Sequence, residues 1–295
     1  MEDSKIELYR IRDFSAKMGV MIDYIRAHFG SLMKIVVLMA VPLALLFGVL
    51  IREIFGNMSS IVDQPDMSDA EAMSFVTSLG INYFIFLVLS LVVYGLLFAT
   101  VYNYMKMKDQ NGETPLLQDV YNLSFKRLPG LIALLLLITL IVIAGTLVFV
   151  LPGIYLAVVL TLAIPIYVFE EKSIGSSLSR SFKLIAGKWW STFGLIIVSS
   201  IMASVISYLF TIPAYGLMFT NLFSEVSQDP SAMPDAYFSM FSNWYMTAGM
   251  ALSFAGAYIT YVIPVIAIAF QYFNLTERSE GRGIKKEVEN FENLA

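Results

Sequence analysis

Residues 131–169 read LIALLLLITLIVIAGTLVFVLPGIYLAVVLTLAIPIYVF, with no charged side chain from end to end. A helix needs about 20 largely apolar residues to cross a bilayer, so this run is too long for one span and suits two. Leu151-Pro152-Gly153 marks the turn between them, because proline removes a helical N–H and glycine tolerates turn geometry. The reading is a hairpin of two spans, Leu131–Leu151 and Gly153–Phe169. Working outward, four more stretches have the same character: Leu32–Ile51, Asn82–Tyr102, Ser191–Ile212 and Trp244–Phe270.

Composition agrees with that reading. Of the 295 residues 58% are hydrophobic and only 14% are charged, and the mean hydropathy is +0.72. Soluble domains run near 25% charged, so this chain lacks the polar surface that water demands. A disordered chain, an ordinary soluble enzyme and a nucleic-acid binder with a basic face are all excluded. No cysteine and a single histidine, His28, remove thiolate metal sites, disulfides and cysteine nucleophiles. Residues 1–31 carry charges throughout and have no short apolar core with a cleavage site, so no secretory signal is expected there.

Lysine and arginine orient the spans. Eighteen of the nineteen basic residues fall in four segments: the N-terminus through Lys34, residues 103–130, residues 171–190, and the tail from Arg278. Arg52 alone falls on the other side, beside Glu53, Asp63, Asp66, Asp69, Glu71, Glu225, Asp229 and Asp235. The positive-inside rule then places both termini in the cytoplasm, with six spans in one membrane domain over 1–275 and a cytoplasmic tail over 276–295.

Three of the basic segments share a pattern. They read Tyr24-Ile25-Arg26-Ala27-His28-Phe29-Gly30, Ser124-Phe125-Lys126-Arg127-Leu128-Pro129-Gly130 and Ser181-Phe182-Lys183-Leu184-Ile185-Ala186-Gly187. Each has an aromatic residue, then a cation, three residues and a glycine, and an apolar span follows. The apolar spacing upstream is helical: Phe14, Met18, Met21, Ile25 and Phe29 in the first copy, and Leu178, Phe182, Ile185 and Trp189 in the third. Leu117, Val120 or Tyr121, and Ser124-Phe125 follow it more loosely, with Thr114-Pro115 as a candidate N-cap and first helical residue.

These features predict an all-α polytopic bundle with cytoplasmic interfacial amphipathic helices in a threefold internal repeat. Gly30, Gly130 and Gly187 would let each surface helix bend into its span. Arg26, Lys126, Arg127, Arg180, Lys183 and Lys188 would snorkel to anionic lipid headgroups, with Trp189-Trp190 in the aromatic belt. A plainer reading, lysines and aromatics near any span end, stands beside it.

Outside the spans, Ser68-x-x-Glu71 is a capping-box pattern that predicts a short outer-surface helix. The stretch from Ala214 to Asn243, with Pro230 and Pro234, reads as an outer loop lying partly on the membrane. Ile284, Val288 and Phe291 suggest a surface helix in the tail, and Asn57-Met58-Ser59 fits a glycosylation sequon.

Catalytic constellations do not assemble. There is no zinc-protease His-Glu-x-x-His, no phosphate-cradling Gly-rich loop and no Gly-x-Ser-x-Gly elbow. No metal or cofactor is expected, and His28 reads as an interfacial polar residue. Glu170-Glu171 close the fourth span, where they could receive a proton or pair with Lys172, Arg180 or Lys183; the ion-paired reading is favoured. Pro42, Pro165 and Pro264 inside spans permit kinks. Ser199, Ala203 and Ser207 on the fifth span, and Gly249, Ser253 and Ala257 on the sixth, form small-residue faces that let helices, or another membrane protein, approach closely.

From Leu151-Pro152-Gly153-Ile154-Tyr155-Leu156-Ala157 through Pro165, Glu170, Ser179-Arg180-Ser181-Phe182-Lys183-Leu184 and Trp189, the chain resembles the membrane domain that precedes the catalytic barrel in membrane-type bacterial glycerophosphodiester phosphodiesterases. It also resembles a set of uncharacterised six-span bacterial membrane proteins. Arg12-Asp13-Phe14 and the run Phe270 to Arg278 look like a Bacteroidota branch of that set. The resemblance implies a bacterial inner-membrane location and a lipid-linked role. No barrel follows in this sequence, so the hydrolysis is not expected to carry over. The expected function is a non-enzymatic scaffold or accessory factor in envelope or lipid homeostasis that contacts membrane lipids. A transporter or flippase for an amphipathic substrate is the alternative.

Overall fold

The apolar runs fold as helices because lipid offers no partner to a backbone amide, whereas a helix satisfies its own. The computed structural model describes residues 6–62, 68–227, 233, 237 and 240–285. Among the described residues every regular element is helical: α1 (Phe14–Val62), α2 (Asp69–Asn111), α3 (Leu117–Val148), α4 (Val150–Thr161), α5 (Ala163–Phe169), α6 (Ile174–Leu184), α7 (Trp189–Val226), a 3-10 turn at Met240–Ser242, α8 (Trp244–Thr260) and α9 (Val262–Glu280). Among the described residues six stretches are long and apolar enough to cross a membrane: Phe14–Phe55, Asp69–Asn111, Leu117–Val148, Val150–Phe169, Trp189–Ser224 and Trp244–Glu280. The protein is an all-α, multi-pass membrane protein.

The α3–α4 hairpin turns earlier than its proline suggested. Phe149 alone is extended, at φ −168° and ψ 146°, while Leu151, Pro152 and Gly153 already belong to α4. Proline costs nothing there, because the first-turn N–H groups of a helix have no intrahelical acceptor. Gly153 is needed for proximity: a Cβ would sit 2.0 Å from Thr146 Oγ1 and 2.9 Å from Thr146 Cα. The tip is apolar and bare, with Leu147 and Val148 82% and 83% exposed. Surface of this kind is stable against lipid and costly against water.

A second repeat sets two helix breaks. Thr161-Leu162-Ala163-Ile164-Pro165 and Thr260-Tyr261-Val262-Ile263-Pro264 share Thr-x-x-Ile-Pro. Each threonine ends a helix and donates its hydroxyl back, Thr161 to Ala157 O at 2.7 Å and Thr260 to Gly256 O at 2.9 Å. Each proline is the third residue of the helix that restarts, α5 or α9, a first-turn position that needs no N–H donor. Pro42, by contrast, lies inside an unbroken α1.

The chain divides into two compact units. Unit 1 comprises residues 1–35, 94–202 and 261–295. Its central element is α9, buried from Val262 through Glu277 at every residue except Ile263. The Phe169 ring stacks on Tyr272 at 5.4 Å, and the Tyr102 hydroxyl donates to Val265 O at 3.2 Å. Unit 2 comprises residues 36–93 and 203–260. There Phe47 packs between Phe86 and Phe254, and Gly48 brings α1 against Thr247 O and Ala251 of α8.

Several expectations about surface helices are corrected. The segments around Gly30 and Gly130 do not bend: α1 runs unbroken through Gly30, and α3 through Pro129 and Gly130. One glycine costs a helix only about 1 kcal/mol, which long apolar flanks outweigh. Gly130 instead makes room for Tyr167, whose hydroxyl would lie 1.9 Å from an added Cβ. At Gly187 the backbone does turn, with φ +69° between α6 and α7. The α3 cap is Leu116, not Thr114. The capping box forms, with Ser68 N donating to Glu71 Oε2 at 2.8 Å, but the helix it opens is all of α2 rather than a short surface piece.

Residues 214–226, read as loop, continue α7. Thr276 and Glu277, assigned to the cytoplasmic tail, are buried in α9. Asp63, Asp66, Asp229, Pro230, Pro234, Asp235, Val288 and Phe291 lie outside the described residues, as do the side chains of Asn57, Ser59 and Glu225.

Candidate lipid-headgroup interface

The three motifs occupy helices of different length yet bury equivalent positions. Tyr24, Ser124 and Ser181, which align, are all buried. A helix turns 100° per residue, so the side chain two positions on points to the opposite face. Arg26, Lys126 and Lys183 stand at that position, and all three are exposed. Among the described residues none of them has a carboxylate within 4 Å. Beside two of these cations lie exposed rings, Phe125 at 55% and Phe182 at 43%.

In α1 the buried stripe differs from the apolar one. Lys17, Met21, Tyr24 and His28 face inward, while Phe14 and Phe29 remain outside. The inward stripe is polar because what it meets is polar. Lys17 Nζ donates to Gln271 Oε1 at 2.6 Å and Ser191 Oγ at 2.9 Å, and Gln271 Nε2 donates to Thr192 Oγ1 at 2.8 Å. His28, expected at the interface, lies under Tyr24 with ring centroids 4.4 Å apart, its Nδ1 3.4 Å from the Tyr104 hydroxyl. Hydropathy alone hides this arrangement, since it ranks Lys17 below Met18. The available signal was the four-three-four spacing of Lys17, Met21, Tyr24 and His28 on one helical face.

The remaining proposed headgroup cations divide. Lys188 is exposed, but Arg127 and Arg180 are held by carboxylates. Arg127 and Lys106 both reach Glu171 Oε1, at 2.5 and 2.6 Å, and Arg127 also donates to Val168 O. Arg180 bridges Glu170 and Glu280, at 2.6 and 2.5 Å. Glu170 further faces Lys172 and Arg282, and accepts from the Tyr272 hydroxyl at 2.9 Å. Pairing at Glu170-Glu171 is thus as expected for Lys172 and Arg180, whereas Lys183 takes no part. Five cations meet three carboxylates here, which leaves a positive surplus.

Hydrogen bonds from Lys106 and then Arg127 hold the Glu171 carboxyl below its ordinary range. A lowered carboxylate stabilises the fold above its unfolded pKa, near 4.3, and that contribution disappears as pH falls through the lower folded value. Its side chain is 61% exposed, so solvent screening keeps the contribution within about 1 kcal/mol. The stability difference between wild type and Glu171→Gln in detergent should therefore be present at pH 7 and vanish on acidification below about pH 4. A difference that grows with acid would contradict this assignment.

The small-residue faces are engaged in part within unit 2. A Cβ on Gly249 would lie 3.1 Å from Ala214 Cβ, and Ser253 and Ala257 line a pocket of about 260 Å³ with Thr211 and Tyr215. Ser199 and Ala203 are buried; Ser207 accepts from Thr211 at 3.1 Å through its carbonyl. Trp189 stacks on Phe193 and Tyr155, and Trp190 is 77% exposed. Among the described residues no group of three histidine or acidic side chains is placed to hold a metal ion.

A family model described as Domain of unknown function (DUF7847) matches residues 122–275, which takes in the second and third motifs and both Thr-x-x-Ile-Pro breaks. No curated protein and no solved structure matches the chain.

Proposed function

The chain belongs to the DUF7847 family, and from that premise we propose that it is a non-enzymatic accessory or scaffold protein of a bacterial inner membrane. It holds anionic headgroups on the cytoplasmic side, with both termini on that side. One observation carries this reading: Arg26, Lys126 and Lys183 recur at one motif position, exposed and without a carboxylate partner among the described residues. A cation near an anionic leaflet gains roughly 1 kcal/mol, so three together bias the lipid shell. The concentration of lysine and arginine in the segments around them supports the cytoplasmic assignment. The resemblance of the Leu151–Trp189 stretch to the membrane domain of glycerophosphodiester phosphodiesterases supports a lipid-linked role.

The test uses full-length protein in nanodiscs of equal anionic and zwitterionic lipid, with the retained shell counted by native mass spectrometry. Wild type should enrich the anionic lipid, and the combined Arg26→Gln, Lys126→Gln and Lys183→Gln variant should approach the bulk ratio. Equal enrichment by both would refute headgroup contact. Copurification from native membranes then separates a scaffold, which brings proteins, from a carrier, which brings one defined ligand. The carrier reading is favoured by a single feature, the hydroxyl-bearing pocket at Thr211, Tyr215 and Ser253, and uptake by proteoliposomes would promote it.

A further inference from the structure

Lys17 is 3% exposed, yet neither of its hydrogen-bond acceptors, the Ser191 hydroxyl and the Gln271 amide oxygen, carries charge. A buried ammonium ordinarily pairs with a carboxylate, because leaving water costs it several kcal/mol. The charges that act on Lys17 are those of Arg278 and Lys188, which repel it, and Asp13, which attracts it. Asp13 is already committed, its Oδ1 capping α1 through Ala16 N at 2.7 Å.

An account of donors and acceptors at this place is one-sided. An ammonium has three donors, and Lys17 spends two. The Ser191 hydroxyl accepts from Lys17, and its own hydrogen has no acceptor among the described residues. Ser191 stands in the first turn of α7, whose N–H groups have no intrahelical partner. Lys188, three residues before Ser191, and Arg278, whose Nε donates to Asn274 Oδ1 at 3.0 Å, are both exposed, and both charges act on Lys17. Apart from the Asp13 carboxylate, the groups left without a partner here are donors, and the neighbouring charges are positive.

The geometry points to a phosphate-binding site formed by Lys17, Lys188, Ser191 and Arg278, its ligand the phosphate of an anionic phospholipid. This rests on the headgroup reading above and deepens it, adding one discrete site to a diffuse cationic surface. A phosphate oxygen offers the acceptors that the site lacks, and its charge offsets the surplus. A lipid rather than a free anion is favoured by Trp189 and Trp190, which start α7 directly after Lys188 and leave an indole 77% exposed at headgroup level.

The full-length protein is delipidated, returned to nanodiscs containing trace dioleoyl phosphatidate or dioleoyl phosphatidylglycerol in phosphatidylcholine, and examined by native mass spectrometry. A parallel arm titrates inorganic phosphate. Wild type should retain one anionic lipid per chain, and Lys188→Gln with Arg278→Gln, both exposed positions, should weaken retention at least about tenfold. Lys17→Met should do the same, and thermal unfolding checks that it has folded. Millimolar inorganic phosphate should not displace the lipid; displacement would overturn the lipid assignment. Equal retention by wild type and the Lys188/Arg278 variant would overturn the site. The Arg26/Lys126/Lys183 variant should keep the single lipid while losing shell enrichment, so the two readings fail separately.

Discussion

Glu170→Ala should lower stability by about 3–5 kcal/mol, the usual cost of removing one partner from a buried charge cluster. The Glu170 side chain is 3% exposed and faces Lys172, Arg180 and Arg282, with the Tyr272 hydroxyl as a further donor. Without it, Arg180 keeps only Glu280, and the Tyr272 hydroxyl loses its carboxylate acceptor. Glu171→Ala is the internal control. That residue is chemically identical and adjacent in sequence, also pairs with two cations, and is 61% exposed. Screening and hydration should hold its cost near 0–1 kcal/mol. Chemical unfolding of both variants in the same detergent compares them directly. Equal losses would mean that burial does not decide the energetics at this end of α5. Glu170→Gln should fall between them, since an amide keeps a hydrogen-bond acceptor but not the charge.

That contrast also marks the limit of sequence reading here. The class of fold was legible because membrane helices are specified by length and apolarity, and residues 131–169 carry both without ambiguity. Helix ends were not. Gly30 and Gly130 look like hinges, but a glycine breaks a helix only where tertiary contacts demand another conformation, as at Gly187. Pro152 suggested the hairpin turn, yet a proline in a first turn breaks nothing, and the turn fell to Phe149.

The candidate interface was half legible. Its cation positions recur with their glycines and can be found by alignment. Which cations remain unpaired depends on carboxylates distant in sequence: Arg127 is taken by Glu171, and Arg180 by Glu170 and Glu280. Lys17 was hidden for a related reason. A hydropathy scale assigns every lysine to water, whereas its burial follows from Gln271 and Thr192, which arrive from helices much later in the chain.

Gly256→Ala should be the most damaging methyl addition among the described glycines of unit 2. The new Cβ would lie 2.3 Å from both Cβ and Cγ of Phe210, and 2.6 Å from Cδ2. A flexible chain end could yield, but Phe210 Cβ is bonded to the α7 backbone, so relief requires α7 and α8 to separate. Overpacking of this kind costs about 1–3 kcal/mol, more when backbone must shift, and it outweighs the roughly 1 kcal/mol that alanine gains over glycine in a helix. Gly216→Ala isolates that gain. It lies within α7 with nothing within 4 Å of an added Cβ, and should stabilise. The two substitutions are the same in chemistry and opposite in expected sign. Adding Phe210→Ala to Gly256→Ala tests the mechanism, because truncating the ring removes Cγ and Cδ2 from the clash. The double variant should be more stable than the sum of the single losses predicts. Strict additivity would show that Gly256 is required for something other than the approach of Phe210.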